Sequence, residues 1–86
     1  MTLQIYSYPF SQFTRIEFSL EQASLVELEV YNSQRQREAI LVREVLQAGK
    51  HSAIFNSTDY ESGFYIVRLT VGGVTELKQI ELLKKF

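Results

Sequence analysis

Cysteine is absent from the sequence, and histidine, aspartate and proline each occur once. Without cysteine there can be no disulfides and no thiolate metal ligands, which excludes the disulfide-dense class of small secreted domains. Nine basic and ten acidic side chains nearly cancel, so the chain lacks the basic footprint of a nucleic-acid-binding protein. No apolar run exceeds four residues, as at 39–42, whereas a transmembrane helix needs about 20.

Residue patterns that carry catalysis are also missing. His51 is the only histidine and Asp59 the only aspartate, and no Gly-x-Ser-x-Gly motif is present to supply a nucleophilic serine. No glycine-rich loop precedes a helix, and no ligand pair has a spacing typical of a metal site. We therefore predict that the protein is not an enzyme, that it has no catalytic or metal-binding residues, and that it needs no cofactor.

Two polar positions have simple structural interpretations. His51 shares a strand face with Ala53 and Phe55, which indicates a packed histidine or one at the rim of the core. Glu27 and Glu29 point the same way from one strand, as a paired-carboxylate acid–base site would require. A solvated outer face explains these two glutamates better.

Two further motifs were considered as sites. Tyr6, Tyr8 and Phe10 could form a ligand platform, but covering the open end of a sandwich is the favoured interpretation. Asn56-Ser57-Thr58 matches the N-glycosylation sequon, but this triplet often arises by chance and does not by itself indicate glycosylation.

The sequence is organised around residues 60–71, which open with a turn and run into its most β-prone segment. Tyr65, Val67 and Leu69 alternate along one face of a strand, and the opposite face is only partly polar, which predicts a central strand. Gly63 stands where the chain must bend sharply. With 45% hydrophobic residues and 11 phenylalanines and tyrosines, residues 1–86 are expected to form one globular domain.

Period-two alternation recurs along the whole chain. Strands are predicted at 14–20, 26–31, 38–42, 51–56, after the opening turn and Gly63 bend of 60–71, and at 75–83, with a seventh candidate at 3–6. Residues 48–50 are interpreted as a turn, and Gly72-Gly73 predicts a two-residue hairpin. The competing interpretation of 36–47 is a helix. The predicted fold is an all-β, immunoglobulin-like antiparallel β-sandwich of six to seven strands, with a small barrel as the alternative.

Several short motifs, taken in order, resemble a known family. They are Tyr8-Pro9-Phe10, Thr14-x-Ile16-x-Phe18-Ser19-Leu20, Val26-x-Leu28-x-Val30-Tyr31-Asn32, Leu46-x-Ala48-Gly49-x-His51, Ser62-Gly63-x-Tyr65-x-x-Arg68-Leu69, Gly72-Gly73 and Lys78-x-Ile80-x-Leu82-Leu83-Lys84. Together they look like the type A C-terminal sorting domain of the type IX secretion system. That domain is related to the immunoglobulin-like domain of flagellar hook-capping proteins.

This resemblance implies a non-catalytic sorting signal from a Bacteroidetes-type bacterium. The domain would be the C-terminal part of a larger secreted protein, which would cross the periplasm and outer membrane to the cell surface. Its partners would be the outer-membrane translocon, its shuttle protein and a sortase-like peptidase. By the family's motifs, the residues expected to serve recognition are Gly63, Tyr65, Lys78 and Lys84.

The chain departs from the family pattern at two places. A single Pro9 precedes Phe10 where the family often has Pro-Asn-Pro-Phe, and Arg35 occupies a turn in which glycine is common. If that turn requires positive φ, arginine should cost on the order of 1 kcal/mol. Two other functions stay open at this point: a structural immunoglobulin-like module, and a carbohydrate-binding accessory domain that uses exposed aromatic residues.

Overall fold

The structure, a computed structural model, describes residues 1–5 and 11–84. These residues form seven strands and no helix. The strands are β1 (Thr2–Ile5), β2 (Phe13–Leu20), β3 (Ser24–Asn32), β4 (Arg37–Leu46), β5 (Gly49–Asn56), β6 (Gly63–Val71) and β7 (Val74–Leu82). The predicted all-β class is therefore confirmed, and the seventh candidate strand exists as β1.

Two antiparallel sheets face each other. The smaller sheet has the order β1-β2-β5, and the larger has the order β4-β3-β6-β7. In constant-type immunoglobulin domains the fourth strand belongs to the sheet of the first two. Here β4 pairs with β3 instead. The sheets stay separate and each ends in unclosed edge strands, so the sandwich prediction is confirmed and the barrel alternative is wrong.

The core lies between the two inner faces. Alternate residues of each strand point inward, because successive side chains of a strand lie on opposite faces. The buried apolar residues are Leu3, Ile16, Phe18, Leu20, Val26, Leu28, Val30, Phe55, Tyr65, Val67, Leu69, Ile80 and Leu82. Strand β6 is central, between β3 and β7, and its outward Phe64 is 45% exposed. Both features agree with the sequence-based interpretation of this strand.

The segment for which a helix was considered is a ten-residue strand. Strand β4 is longer than the predicted 38–42, and its register against β3 shifts twice. Val42 and Ile40 lie opposite consecutive residues of β3, so Leu41 is an extra residue, and Glu38 is extra in the same way. These bulges break the period-two alternation and so imitate a helical stripe. Gly49 and Lys50, predicted as part of a turn, begin β5.

Two turns use backbone conformations with positive φ. Gly72 and Gly73 have φ values of 55° and 82° and join β6 to β7, which confirms the predicted hairpin. Arg35, between β3 and β4, has φ 66° and is the only non-glycine residue with positive φ among those described. Asn32 holds this turn, because its side-chain Oδ1 accepts hydrogen bonds from the backbone N–H groups of Gln34 and Gln36.

Replacing Arg35 by glycine should stabilise the domain. Relief of left-handed strain is worth roughly 1–2 kcal/mol, and the added flexibility of the unfolded chain costs roughly 0.4–1 kcal/mol. We expect a net gain of about 0.5–1 kcal/mol in the free energy of unfolding, measured by urea denaturation. Ser33→Gly is the control, because Ser33 lies in the same turn without positive φ. It should destabilise the protein, and a gain as large as that of Arg35→Gly would contradict the explanation.

Candidate functional site

Three of the four predicted recognition residues lie together at one end of the sandwich. Gly63 and Tyr65 begin β6, and Lys84 follows the end of β7. Because β6 and β7 are antiparallel, Gly63 pairs with Leu82, and this register brings Lys84 beside the chain that enters β6. Lys78 is not part of this group. It lies six residues before Lys84, about 20 Å away along an extended chain.

Gly63 makes the entry into β6. Its φ is 149°, a conformation that side-chain-bearing residues rarely adopt, although a Cβ atom there would meet no neighbour within 4 Å. Glycine is thus favoured here because another residue would strain the backbone, not because a side chain would lack space. This agrees with the sequence-based interpretation of Gly63 as the bend before the central strand.

Tyr65 is a tyrosine corner. The residue is only 6% exposed, and its hydroxyl donates a 2.6 Å hydrogen bond to the backbone carbonyl of Glu61, four residues upstream. Burial raises the pKa of this hydroxyl above its ordinary value of 10.0, and the nearby negative charges of Glu38 and Glu61 raise it further. The bond to Glu61 fixes the loop that precedes β6.

Tyr60 completes an aromatic cluster that the sequence analysis missed. Its ring centroid lies 4.9 Å from that of Phe55 and 6.1 Å from that of Tyr65. Its hydroxyl donates to the backbone carbonyl of Glu38 at 3.3 Å. The sequence did contain a signal for this contact: Tyr60 is the single aromatic residue of a polar loop. Such a residue generally packs against other apolar groups.

Lys84 connects the end of β7 to the same loop. Its backbone N–H donates to Ser62 Oγ at 2.9 Å, and its Nζ lies 3.4 Å from the backbone carbonyl of Thr58. Ser62 was also overlooked as a functional residue, although it stands directly before Gly63. These two bonds set the direction in which the chain leaves the sheet.

Ser57 fastens the other side of this loop to the start of β2. The residue is buried, its N–H donates to the carbonyl of Gln12 at 2.9 Å, and its hydroxyl donates to the carbonyl of Ser11 at 3.0 Å. Asn56 Oδ1 accepts from the N–H of Thr58 at 2.8 Å. The residues of the sequon thus shape a turn. Residues 57–62, which we call the corner loop, are held from both sheets.

A polar groove lies between the corner loop and the turn after β3. It has a volume of about 400 Å³, and Glu38, Asp59 and Glu61 contribute to its lining. Within residues 1–5 and 11–84, no group of three or more histidines and carboxylates is arranged to hold a metal ion. The groove offers hydrogen-bond acceptors and negative charge.

The outer face of the larger sheet carries an ion-pair network centred on Glu29. Its side chain is only 7% exposed, and its Oε2 lies 3.1 Å from Arg37 Nη1 and 3.8 Å from Arg43 Nη2. Tyr31 also donates its hydroxyl to Glu29 at 3.3 Å. The prediction of a solvated position is therefore wrong for Glu29, because longer side chains of neighbouring positions cover it. Glu27 is 37% exposed and pairs with Arg43.

The remaining candidate residues divide between confirmed and undescribed positions. His51 stacks on Phe18 with ring centroids 5.6 Å apart, and its Nε2 lies 2.7 Å from the carbonyl oxygen of Gln47, so the prediction of a packed or rim histidine is confirmed. The proposed platform of Tyr6, Tyr8 and Phe10 lies outside the residues that the structure describes, as does Pro9.

Lys78 lies on the same face of β7 as the inward residues Ile80 and Leu82, yet its side chain is exposed. It lies on β7, an edge strand of the larger sheet. Among the described residues it has no salt-bridge partner within 4.0 Å.

The described part of the chain contains no helix with the length and apolar character needed to cross a membrane. No protein-family model matches the sequence, and no curated protein matches it significantly.

Tyr65→Phe should lower the free energy of unfolding by about 1 kcal/mol, because it removes one buried hydrogen bond and leaves the ring in place. Tyr60→Phe is the matched control. Its hydroxyl bond is longer and exposed, so we expect a loss below about 0.5 kcal/mol. Urea denaturation at neutral pH measures both. Equal losses for the two variants would contradict the assignment of a tyrosine corner.

The same tyrosine should make stability depend on alkaline pH. Because the pKa of Tyr65 is raised in the folded state, its protonated form is favoured there. Its contribution is complete below the unfolded pKa of about 10 and is lost as pH rises through the folded value. Thermal unfolding between pH 8 and 11 should show a shallower decline for Tyr65→Phe than for the parent. Parallel curves would exclude this linkage.

Glu29→Gln should destabilise the domain by about 1–2 kcal/mol. The change keeps the shape of the side chain but removes the negative charge that two arginines share. We expect a smaller loss of unfolding free energy than for a fully buried network, because both arginines are about half exposed. Glu27→Gln, at the exposed end, should cost less than about 0.5 kcal/mol. Chemical denaturation at low and high salt would test both variants. A larger loss of stability for Glu27→Gln than for Glu29→Gln would contradict the assignment of Glu29 as the centre of the ion-pair network.

Proposed function

We propose that this protein is a non-catalytic sorting domain, recognised in its folded state by the outer-membrane translocon of a type IX secretion system for export and cell-surface attachment of its cargo. The proposal rests on the resemblance of its ordered motifs to that family. Its partners are the translocon, the shuttle protein and a sortase-like peptidase, and its location is the cell surface, reached through the periplasm.

The observation that supports it most strongly is the clustering of Gly63, Tyr65 and Lys84. The motifs that carry the resemblance are about 20 residues apart in sequence, yet their key residues meet at one end of the sandwich. The corner loop joins them through Tyr65–Glu61 and Lys84–Ser62 hydrogen bonds. A partner that reads this end therefore meets a single rigid surface.

Rigidity matters because a partner that binds without a deep pocket gains little binding free energy. That gain can offset only a small entropic cost of ordering a loop. A loop already held by hydrogen bonds loses less conformational entropy when a partner binds. The end of β7 is presented in a fixed direction by Ser62 and Thr58. This arrangement suits a signal that has to be distinguished from unfolded chains of similar sequence.

A structural immunoglobulin-like module is the second candidate. The tyrosine corner supports it, because the same contact stabilises sandwiches that have no sorting role. A carbohydrate-binding platform has less support. The exposed aromatic residues Phe13 and Phe64 lie on the outer faces of different sheets, so among the described residues they cannot stack on one sugar.

A reporter fusion tests the sorting proposal. Residues 1–86 are fused to the C-terminus of a fluorescent or enzymatic reporter in a type IX-competent cell, and surface and periplasmic fractions are measured. We expect the full fusion at the surface and a fusion lacking residues 84–86 in the periplasm. Retention of the full fusion in the periplasm would refute the proposal.

Glu29→Gln is the control for stability. It changes neither the corner loop nor the tail, so it should lower the free energy of unfolding by about 1–2 kcal/mol and leave export intact. If export instead follows the melting temperature across the truncation and Glu29→Gln, the structural module is the better assignment.

A further inference from the structure

Strand β7 is a long, regular open edge. Among the described residues it pairs only with β6, over nine residues and without a register shift. The opposite edge of the same sheet, β4, has two register shifts, which twist an edge away from a would-be partner strand. Strand β1 has only four residues. An incoming strand would therefore find its most regular template on the larger sheet at β7.

A groove runs beside this edge on the outer face of the larger sheet. Its volume is about 800 Å³, and its apolar lining comes from Tyr31, Ile66 and Leu77. Leu77 belongs to β7 itself and is 61% exposed. The side chains of a strand added to β7 would stand at the mouth of this groove on alternate positions.

The groove carries positive charge that the chain does not neutralise. Arg35, Arg68 and Lys78 contribute to its lining, and none of them forms a salt bridge with any residue that the structure describes. None of the described lining residues is acidic. On the same sheet face, Arg37 and Arg43 are already paired with glutamates. Of the three cations, Arg68 on β6 and Lys78 on β7 thus lie toward the open edge.

We propose that β7 binds an extended acidic peptide segment of a partner protein by strand addition. Backbone hydrogen bonds to the free edge would supply affinity, and alternating side chains would supply selectivity. An outward acidic side chain of the segment would pair with Arg68 of β6, an inward one at the adjacent position would pair with Lys78 of β7, and the remaining outward apolar side chains would cover Leu77. This inference concerns the isolated domain and does not depend on the sorting function.

The charges on β7 also restrict which segments can bind. A lysine on an edge strand opposes pairing with neutral or basic strands, which protects the protein against aggregation. The same lysine attracts an acidic strand, so one residue both excludes wrong partners and selects the right class. Glu76 and Glu81, which flank the cationic middle of β7, would repel acidic side chains and so set the register of the bound segment.

The test is an NMR titration of the full chain, labelled with nitrogen-15, with synthetic peptides. The binding probe is a nine-residue peptide of valine and threonine with two adjacent glutamates at its centre, matched to the length of β7. Its controls are the analogue with lysine at both central positions and the acidic peptide N-methylated at alternate residues. We expect saturable shifts of β7 amides with the acidic peptide, weakened by salt, and no saturable shifts with either control.

Charge variants assign the contact. Arg68→Gln combined with Lys78→Gln should raise the dissociation constant about tenfold. Lys50→Gln should leave it unchanged, because Lys50 lies on the smaller sheet and forms no salt bridge with any residue that the structure describes. The spectra of the variants report folding directly. Equal binding of the lysine peptide, equal binding of the N-methylated peptide, or no saturable shift at all would overturn the proposal.

Two other occupants of the groove would also overturn it. Concentration-dependent dimerisation in sedimentation experiments, with β7 amides protected in the absence of peptide, would assign the edge to a second copy of the chain. Saturable shifts of the groove residues with dextran sulfate, but not with the acidic peptide, would assign the groove to an anionic polysaccharide.

Discussion

The fold depends on the burial of two inner sheet faces against each other. Neither sheet could hide its apolar face alone, and the described chain supplies no helix to cover it. No cysteine is present to add a covalent constraint. All the apolar stabilisation must therefore come from one layer of side chains, contributed by alternate residues of both sheets. At the ends of that layer the strands stop and loops cross, so the core there has to be shielded from solvent by loop residues.

The corner loop provides this closure at one end. Ser57 joins it to residues before β2, Tyr60 and Tyr65 pack against the buried ring of Phe55, and Ser62 joins it to Lys84 after β7. Polar backbone groups that would otherwise lie unpaired at the rim are thereby satisfied. Three of the four residues that the motif resemblance singles out, Gly63, Tyr65 and Lys84, lie at this closure. Such a place is well suited to recognition of a folded protein.

Much of this could be predicted from the sequence, and the failures have identifiable causes. Regular alternation located β2, β3, β6 and β7, and Gly72-Gly73 located the hairpin that joins the last two. Strand β4 was poorly located because its two bulges interrupt the alternation. The burial of Glu29 was missed because it depends on Arg37 and Arg43 of a neighbouring strand, and strand neighbours are not visible in a local pattern. Tyr60 was missed because loops have no period.

The position of β7 at the margin of its sheet has a mechanical consequence. A machine that grips the chain beyond residue 84 and pulls would first meet the attachments of Lys84 to Ser62 and Thr58. Once these give way, the ladder to β6 would open one residue pair at a time from Gly63–Leu82 toward the hairpin, since no second neighbour shares the load among the described strands. Tension from that side would unzip the domain gradually, whereas the doubly flanked β6 would resist as a unit.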